Sequence, residues 1–303
     1  IEPEDLVFLP GVVLGMNLFC RAFGQPGNAA LIQTPVYPPF FHAPVHSGQH
    51  CQEMMLTQLS DGSYGVDMDA FEAAITPETK LFLLCNPHNP VGRVFRPEEL
   101  RQMAEICLRK GLIICSDEIH GDLIFEGHRH TPIASLDPEI ARNTVTLMAP
   151  SKTFNIAGLQ CSIAIIPNPE LRKRFLASQM GLVEWVGLVG QTAVLAAYRD
   201  GQEWLDQVMA YLQANRDFVY EYVSQEMPGI KMALPEGTYL AWLDCRQVVS
   251  EKPYQFFLDK ARVAFNDGAT FGKGGEGFVG MKFGCRRELV EDGLSGMKAA
   301  LDL

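Results

Sequence analysis

Residues 80–117 read KLFLLCNPHNPVGRVFRPEELRQMAEICLRKGLIICSD, which has the pattern of a strand, a helix and a second strand. Two apolar runs of strand length, Lys80–Cys85 and Leu112–Cys115, enclose the segment Pro97–Lys110, whose apolar residues have helical spacing. The proline suits the first helical position, the two glutamates after it complement the helix dipole, and Gly111 ends the helix. The stretch therefore predicts a βαβ unit, which implies a parallel sheet and a right-handed crossover.

Strands and helices alternate on both sides of this unit, which predicts an α/β fold with a mostly parallel sheet flanked by helices. A smaller α+β domain is predicted at the C-terminal end, where two strands follow a long helix. We place the boundary near residue 200, which gives a large domain of residues 1–200 and a small domain of residues 201–303. The other predicted elements are strands at Leu31–Thr34, Thr144–Met148, Gly237–Asp244 and Gly277–Gly284, a helical region at Pro169–Gly201 and a long helix at Gln202–Met227.

Polar side chains follow three of the predicted strands of the large sheet. Asn89 and Asp117 come after the two strands of the βαβ unit, and Lys152 lies in the turn after Thr144–Met148. Because ligands bind at the carboxyl ends of parallel strands, we expect this amide, carboxylate and amine to share one site. Each residue also has a simpler interpretation: Asn89 as a turn residue, Asp117 as a helix N-cap and Lys152 as a surface charge.

The composition is that of a globular protein and argues against a nucleic-acid partner. The chain has 303 residues, of which 47% are hydrophobic, so it can bury a large core. It has 25 Lys and Arg against 36 Asp and Glu, which gives a net charge of −11 and disfavours binding to nucleic acid. The longest apolar runs have strand length, so no membrane span is predicted.

The cysteines and the N-terminal apolar stretch indicate the cellular compartment in which the protein is found. Eight cysteines are scattered along the chain without a Cys-x-x-Cys pair, which favours reduced thiols in a cytoplasmic protein. The stretch Leu6–Phe19 is apolar enough for a signal peptide, but the acidic residues Glu2, Glu4 and Asp5 precede it where basic ones are typical. We therefore predict a cytoplasmic protein.

Five motifs, spaced along nearly the whole chain, carry a resemblance to a known family. Their order and residues resemble the fold-type I pyridoxal 5'-phosphate (PLP) enzymes of the aspartate aminotransferase superfamily, and within them the PatB/MalY-type cystathionine β-lyases. The motifs are NPHNPVGR at 86–93, DEIHGDL at 117–123, SKTFN at 151–155, AGLQC at 157–161 and GTYLAWLD at 237–244. The resemblance implies PLP as the cofactor, a homodimer, and a further N-terminal segment that lends a tyrosine to the neighbouring subunit.

The resemblance also implies how three residues act on the cofactor. Lys152 is expected to form the Schiff base with PLP and to act as the catalytic base. Asp117 is expected to keep the pyridine nitrogen protonated, which makes the ring an electron sink. Asn89 is expected to donate a hydrogen bond to the ring oxygen. His120, three residues after Asp117, either contacts that oxygen or only packs.

The remaining cofactor contacts implied by the resemblance concern the ring face and the phosphate. Tyr37 lies in a proline-rich turn after a strand and is expected to stack on the ring, its alternative being a buried loop aromatic. Gly11, Val12 and Val13 open a predicted helix, whose first amides suit a phosphate. Ser151 is expected to add a hydroxyl to the same site.

The activity implied is that of a carbon–sulfur β-lyase, which converts cystathionine or a related cysteine S-conjugate into thiol, pyruvate and ammonia. Two alternatives remain open. The first is a PLP-dependent aminotransferase, which forms the same carbanion but expels no leaving group. The second is a catalytically weak PLP-binding regulatory protein.

The second alternative is prompted by Gly280. Relatives have Gly-Phe-x-Arg at this point and bind the substrate carboxylate with the arginine, whereas this chain has Gly280 there. Arg286 and Arg287 come about 20 Å further along an extended strand and cannot substitute simply. Lys282 lies on the same strand face, about 7 Å from Gly280, but is a point charge without the planar fork.

Three histidines have the spacing of a metal site. His42, His46 and His50 recur every four residues, as zinc ligands on a helix face do. Pro44 and Gly48 are predicted to interrupt that helix, and PLP chemistry needs no metal. We therefore predict no metal site.

Overall fold

The strands of the computed structural model, which describes residues 1–183 and 185–302, form one large sheet, one small sheet and a hairpin. The βαβ unit predicted from residues 80–117 lies in the middle of the large sheet. In chain order the strands are β1 (Leu6–Leu9), β2 (Ala29–Thr34), β3 (His50–Met55), β4 (Thr57–Gln58), β5 (Tyr64–Gly65), β6 (Thr79–Cys85), β7 (Ile113–Asp117), β8 (Thr144–Met148), β9 (Ser162–Ile165), β10 (Leu240–Asp244), β11 (Asn266–Asp267) and β12 (Phe278–Lys282).

The helices cover both faces of the large sheet and one side of the small sheet. They are α1 (Val12–Phe23), α2 (Pro39–His46), α3 (Met68–Ala73), α4 (Pro97–Lys110), α5 (Pro138–Arg142), α6 (Pro169–Gln179), α7 (Leu188–Asp200), α8 (Gln202–Glu226), α9 (Pro253–Ala261) and α10 (Arg287–Leu301). Helix α4 has the predicted bounds, and the left-handed backbone of Gly111 (φ 70°) ends it. Among the described residues, no helix combines the length and hydropathy needed to cross a bilayer.

The large sheet has the strand order β1-β9-β8-β7-β6-β2-β3 and is mostly parallel, as predicted. Strands β8, β7, β6, β2 and β3 run parallel to one another, while β1 and β9 are two further strands at one edge, where β9 pairs antiparallel with both β8 and β1. The stretch Leu6–Phe19 forms strand β1 and most of helix α1. The two edge strands were not predicted, because four residues are too few to show a strand period.

Side chains of the central strands alternate between two helix layers. In β6, Leu81 and Leu83 face the core that contains α1, α2 and α6. Phe82 and Leu84 face the opposite core, which contains α3 and α4. Because both faces are covered, β6 is a continuous apolar run and not an alternating one.

The small sheet has the order β10-β12-β11 and is antiparallel. A third core lies between this sheet and helices α8, α9 and α10, with Val219, Leu243, Phe257 and Leu294 among its buried side chains. The division into domains at residue 200 stays a prediction.

Helix α2 corrects one prediction made from sequence. Pro44 was expected to interrupt a helix here, but α2 continues through Pro44 to His46. Pro44 has no backbone N–H, so the helix lacks one backbone hydrogen bond at this residue. The loss falls close to the C-terminal end of α2, where Ser47 is the C-cap. His42 and His46 stack with ring centroids 6.2 Å apart, and His50 begins β3. No group of three metal-binding side chains is found in the described part of the chain.

Candidate active site

A cavity of about 750 Å³ lies at the carboxyl ends of the central strands. All nine residues predicted for the cofactor site line it, although they come from five separate segments. They are Gly11, Val12, Val13, Tyr37, Asn89, Asp117, His120, Ser151 and Lys152. The structure therefore brings the predicted site residues together, while their individual roles stay predictions.

Asp117 is the last residue of β7 and is buried in the middle of the sheet. One of its carboxylate oxygens accepts a hydrogen bond from the Ile119 amide at 3.1 Å. Burial, helped by the neighbouring Glu118 carboxylate, raises the pKa of Asp117 to about 7, against the opposing effects of the Ile119 hydrogen bond and of Lys152. A buried carboxylate of this kind would be stabilised by a cationic partner, such as a protonated pyridine nitrogen.

Lys152 lies in a tight turn four residues after the end of β8. The Phe154 amide donates to the Pro150 carbonyl at 2.8 Å, which closes the turn around the lysine. The Thr153 hydroxyl donates to Asp122 at 2.9 Å, and the Phe154 ring stacks on Trp204 at 5.6 Å. These contacts fix the backbone on the C-terminal side of Lys152 and leave its amine facing the cavity.

Two buried polar atoms beside the cavity have no hydrogen-bond partner among the described residues. They are Oδ1 of Asn89 and Nδ1 of His120. Burial and the nearby Lys152 lower the pKa of His120 to about 3, so its imidazole is neutral at ordinary pH. Buried polar atoms are normally paired, so atoms left unpaired beside a cavity fit a polar ligand.

Tyr37 lies just after β2, and its backbone links the loop that follows β2 to the loop that follows β6. The Tyr37 amide donates to the Asn89 carbonyl at 3.1 Å. Burial and the Asp117 carboxylate raise the pKa of the Tyr37 phenol. Tyr37 and Asp117 line the same cavity, which is compatible with stacking of the Tyr37 ring on a planar ligand.

The start of helix α1 forms one end of the cavity. Gly11 is the N-cap, and a Cβ on it would meet no protein atom within 4 Å. Val12 and Val13 begin the helix, and the amides of a first turn have no partner within the helix. With the Ser151 hydroxyl beside them, these groups fit a phosphate.

Taken together, the lining residues fit PLP. The set combines a lysine, a buried acid and open amides at a helix start, which match the amine-binding, ring and phosphate parts of that cofactor.

Several lining residues were missed from sequence. Tyr239 contacts His120 edge to face at 5.7 Å, and its place in the motif at 237–244 was the available signal. The cavity wall also includes Tyr254, Phe265, Asn266, Asp267, Thr270 and Phe271. Most of these lie in or near the two-residue strand β11, whose length gives no periodic signal.

Gly280 does not line the main cavity. It lies inside β12, paired with Trp242 on one side and Asn266 on the other. A second cavity of about 200 Å³ adjoins it. Lys282 lines both cavities, as do Phe265 and Asn266, so the two spaces are neighbours.

Comparison with known proteins finds one family pattern and several similar proteins of known structure or sequence. The pattern of the family "aminotransferase class I and II" matches residues 1–295. The chain is similar to cystathionine β-lyase PatB of Bacillus subtilis (strain 168), with 41% identity over 305 residues, covering 99% of this chain and 79% of that protein. Its structure is similar to that of Treponema denticola cystalysin with PLP, with a TM-score of 0.97, 35% identity and coverage of 100% and 77%. It is also similar to the PLP-bound C-S lyase of Staphylococcus hominis, with a TM-score of 0.94, 33% identity and coverage of 99% and 79%.

Proposed function

This chain belongs to the class I and II aminotransferase family, in its cystathionine β-lyase branch, and on that basis we propose that it is a PLP-dependent carbon–sulfur β-lyase. The substrates are cystathionine or related cysteine S-conjugates, and the products are a thiol, pyruvate and ammonia. The observation that carries the proposal is the single cavity lined by Lys152, Asp117 and Asn89, in a chain similar to named lyases.

The residues around the cavity divide the task of holding PLP. Lys152 would bind it covalently, Asp117 would pair with the ring nitrogen, and Asn89 and His120 would contact the ring oxygen. Gly11, Val12, Val13 and Ser151 would hold the phosphate, with Tyr37 against the ring face. When bound, PLP withdraws electrons from the substrate Cα and so stabilises negative charge there.

Lys152 would also act as the base of the reaction. Its amine would accept the proton of the substrate Cα, and the β-thiolate would be the leaving group. The contacts of Thr153 and Phe154 would hold in place the turn that carries this amine. Because Asp117 is buried, a cationic ring nitrogen would stabilise its carboxylate. The protonated ring would in turn withdraw electrons from the substrate Cα.

Activity assays separate the lyase from the two alternatives. The purified holoenzyme is given cystathionine, and thiol and pyruvate are measured with and without an added 2-oxo acid. A lyase releases both products without the oxo acid. The family name favours an aminotransferase as the second candidate, which would instead show amino-acid exchange that depends on the oxo acid. Cofactor binding without either reaction would support the other alternative, a PLP-binding regulatory protein, which the glycine at position 280 suggests.

A homodimer is part of the proposal. Large apolar side chains from the end of α6 to the first turn of α7 are highly exposed: Met180 at 79%, Trp185 at 89%, Leu188 at 79% and Val189 at 69%. A cluster of this size is typical of a surface that another chain covers, and twofold homodimers are the commonest assembly. The stretch Leu6–Phe19 is a weaker candidate for that surface, because most of its apolar side chains pack within the chain's own core.

The cysteines support the proposal of a cytoplasmic location. All eight are free thiols in the structure, and six of them are buried. Proteins in oxidising compartments tend to pair their cysteines, whereas cytosolic proteins keep them reduced.

A further inference from the structure

We propose that Lys282 binds the α-carboxylate of the amino-acid substrate. This inference rests on the proposed lyase function and names a residue for a task that no other side chain of the site performs. Among the described residues that line the main cavity, the cationic side chains are Lys152 and Lys282. Because Lys152 is used by the cofactor and the Cα proton, Lys282 is the cation left for an anionic substrate group.

The charge of Lys282 is available to a ligand. Its side chain is exposed at the end of β12 and forms no ion pair or hydrogen bond with any residue the structure describes. Other nearby cations are engaged elsewhere. Arg246 forms a 2.6 Å ion pair with Asp244, and Arg287 donates to Asn215 at 2.8 Å. Neither arginine lines either cavity.

Gly280 makes room for this arrangement. A Cβ at position 280 would lie 3.3 Å from Asn266 Cβ and 3.7 Å from the Trp242 ring, so any side chain there would enter the space beside Asn266. With glycine, that space stays open as the smaller cavity, and Lys282 and Asn266 line both it and the main cavity. The Lys282 ammonium can therefore approach the substrate along the strand, with the Asn266 amide as a neighbouring donor.

The chemistry of lysine determines how strongly and with what salt dependence this site would bind a carboxylate. An ammonium is a compact point charge, so it attracts a carboxylate without the two parallel hydrogen bonds that a guanidinium makes. Because Lys282 is exposed, salt screens its attraction for the substrate. We therefore expect KM for the amino-acid substrate to rise with ionic strength, while the bound cofactor is unaffected.

The test compares two lysine variants on two substrates. Lys282→Met removes the proposed cation, and Lys273→Met removes an exposed lysine that lines neither cavity. The substrates are S-methyl-L-cysteine and its carboxamide, which lacks the anionic group. We expect Lys282→Met to raise KM for the acid at least about tenfold, which corresponds to about 1.4 kcal/mol. The same variant should leave KM for the carboxamide unchanged, and Lys273→Met should change neither.

A calorimetric titration supplies a readout that does not depend on turnover. 3-(Methylthio)propionate, which has the carboxylate but no amine, should bind the wild-type holoenzyme and the Lys282→Arg variant, but bind Lys282→Met at least about tenfold more weakly. Equal losses for the acid and the carboxamide would assign Lys282 a structural role and overturn the inference, as would a Lys282→Met enzyme identical to the wild type. If no substrate is cleaved at all, the proposed function fails, but this titration still decides whether Lys282 binds the carboxylate.

Discussion

The Thr153 hydroxyl donates a 2.9 Å hydrogen bond to the Asp122 carboxylate, which ties the turn that holds Lys152 to the loop that follows Asp117. The two motifs that carry the proposed catalytic lysine and the proposed ring acid are therefore joined directly. Thr153 is buried, so the bond is shielded from water.

Removing that bond should slow catalysis more than it weakens binding. We expect Thr153→Val to lower kcat about fivefold with little change in KM, because one hydrogen bond contributes ~1 kcal/mol to holding the Lys152 amine in place. Thr153→Ser keeps the hydroxyl and serves as the control. Steady-state kinetics on cystathionine measure both constants, and a Thr153→Val enzyme with wild-type kcat would show that the turn is held by other contacts.

Lys152 should be the residue that PLP modifies. Borohydride reduction of the holoenzyme should fix the cofactor covalently, and peptide mapping should find it on Lys152. Lys152→Ala should lose the visible absorbance of the adduct while its far-ultraviolet circular dichroism stays that of the wild type. Finding the label on a different lysine, or on none, would contradict the assignment.

Asp117→Asn should have opposite effects on the cofactor-free and cofactor-bound protein. The folded pKa of Asp117, about 7, lies above its unfolded value near ~3.9, so ionisation favours the unfolded state. The stability of the cofactor-free wild type should therefore fall as pH rises from about 4 to about 7, and the variant should lack this loss. Above pH ~7 the cofactor-free variant should melt at a higher temperature than the wild type, and at pH ~4 at the same temperature.

With PLP bound, the order should reverse, because the carboxylate then pairs with the ring nitrogen. The melting temperature of holo Asp117→Asn should lie below that of the holo wild type at pH ~8. Calorimetric melting curves at the two pH values check both halves. A variant that is destabilised equally in both forms would indicate a purely structural role for Asp117.

Gly280→Arg should improve catalysis. The new side chain would enter the cavity of about 200 Å³ beside Asn266 and provide a planar fork for the carboxylate. We expect kcat/KM on cystathionine to rise at least about tenfold, since a gain of ~1.4 kcal/mol suffices. Gly280→Met, which fills the same space without charge, is the control. If the wild type is already efficient and the arginine adds nothing, the carboxylate is fully bound by another group.

The exposed segment between α6 and α7 should hold two subunits together. Trp185→Asp places a charge on a side chain that is 89% exposed in the single chain, so it should shift the mass measured by light scattering from dimer to monomer. Leu59→Asp, at a 49% exposed apolar residue elsewhere, should leave the mass unchanged. A wild type that is monomeric at micromolar concentration would contradict the proposed dimer.

The site residues that could be predicted best from the sequence are those that lie next to strong local patterns. Asp117 and Lys152 follow apolar strands with clear ends, so their meeting at the edge of a parallel sheet could be inferred. The helix at Pro97–Lys110 was predicted to the residue, because its proline, glutamates and closing glycine all act locally.

Features that depend on distant parts of the chain could not be predicted in this way. The bond between Thr153 and Asp122 spans 31 residues, and no local pattern marks it. Strand β11 has two residues, so Asn266 gave no sign that it lines the cavity. The unpaired atoms of Asn89 and His120 become visible only when every neighbouring side chain is in place.

The two halves of the cavity wall have different structural origins, and this affects how such a protein can change over evolution. Asn89, Asp117 and Lys152 follow β6, β7 and β8, which are neighbours in the large sheet. Asn266 and Lys282 belong to the small sheet. Substitutions in the small sheet would therefore change the proposed substrate contacts without disturbing the residues proposed to hold the cofactor.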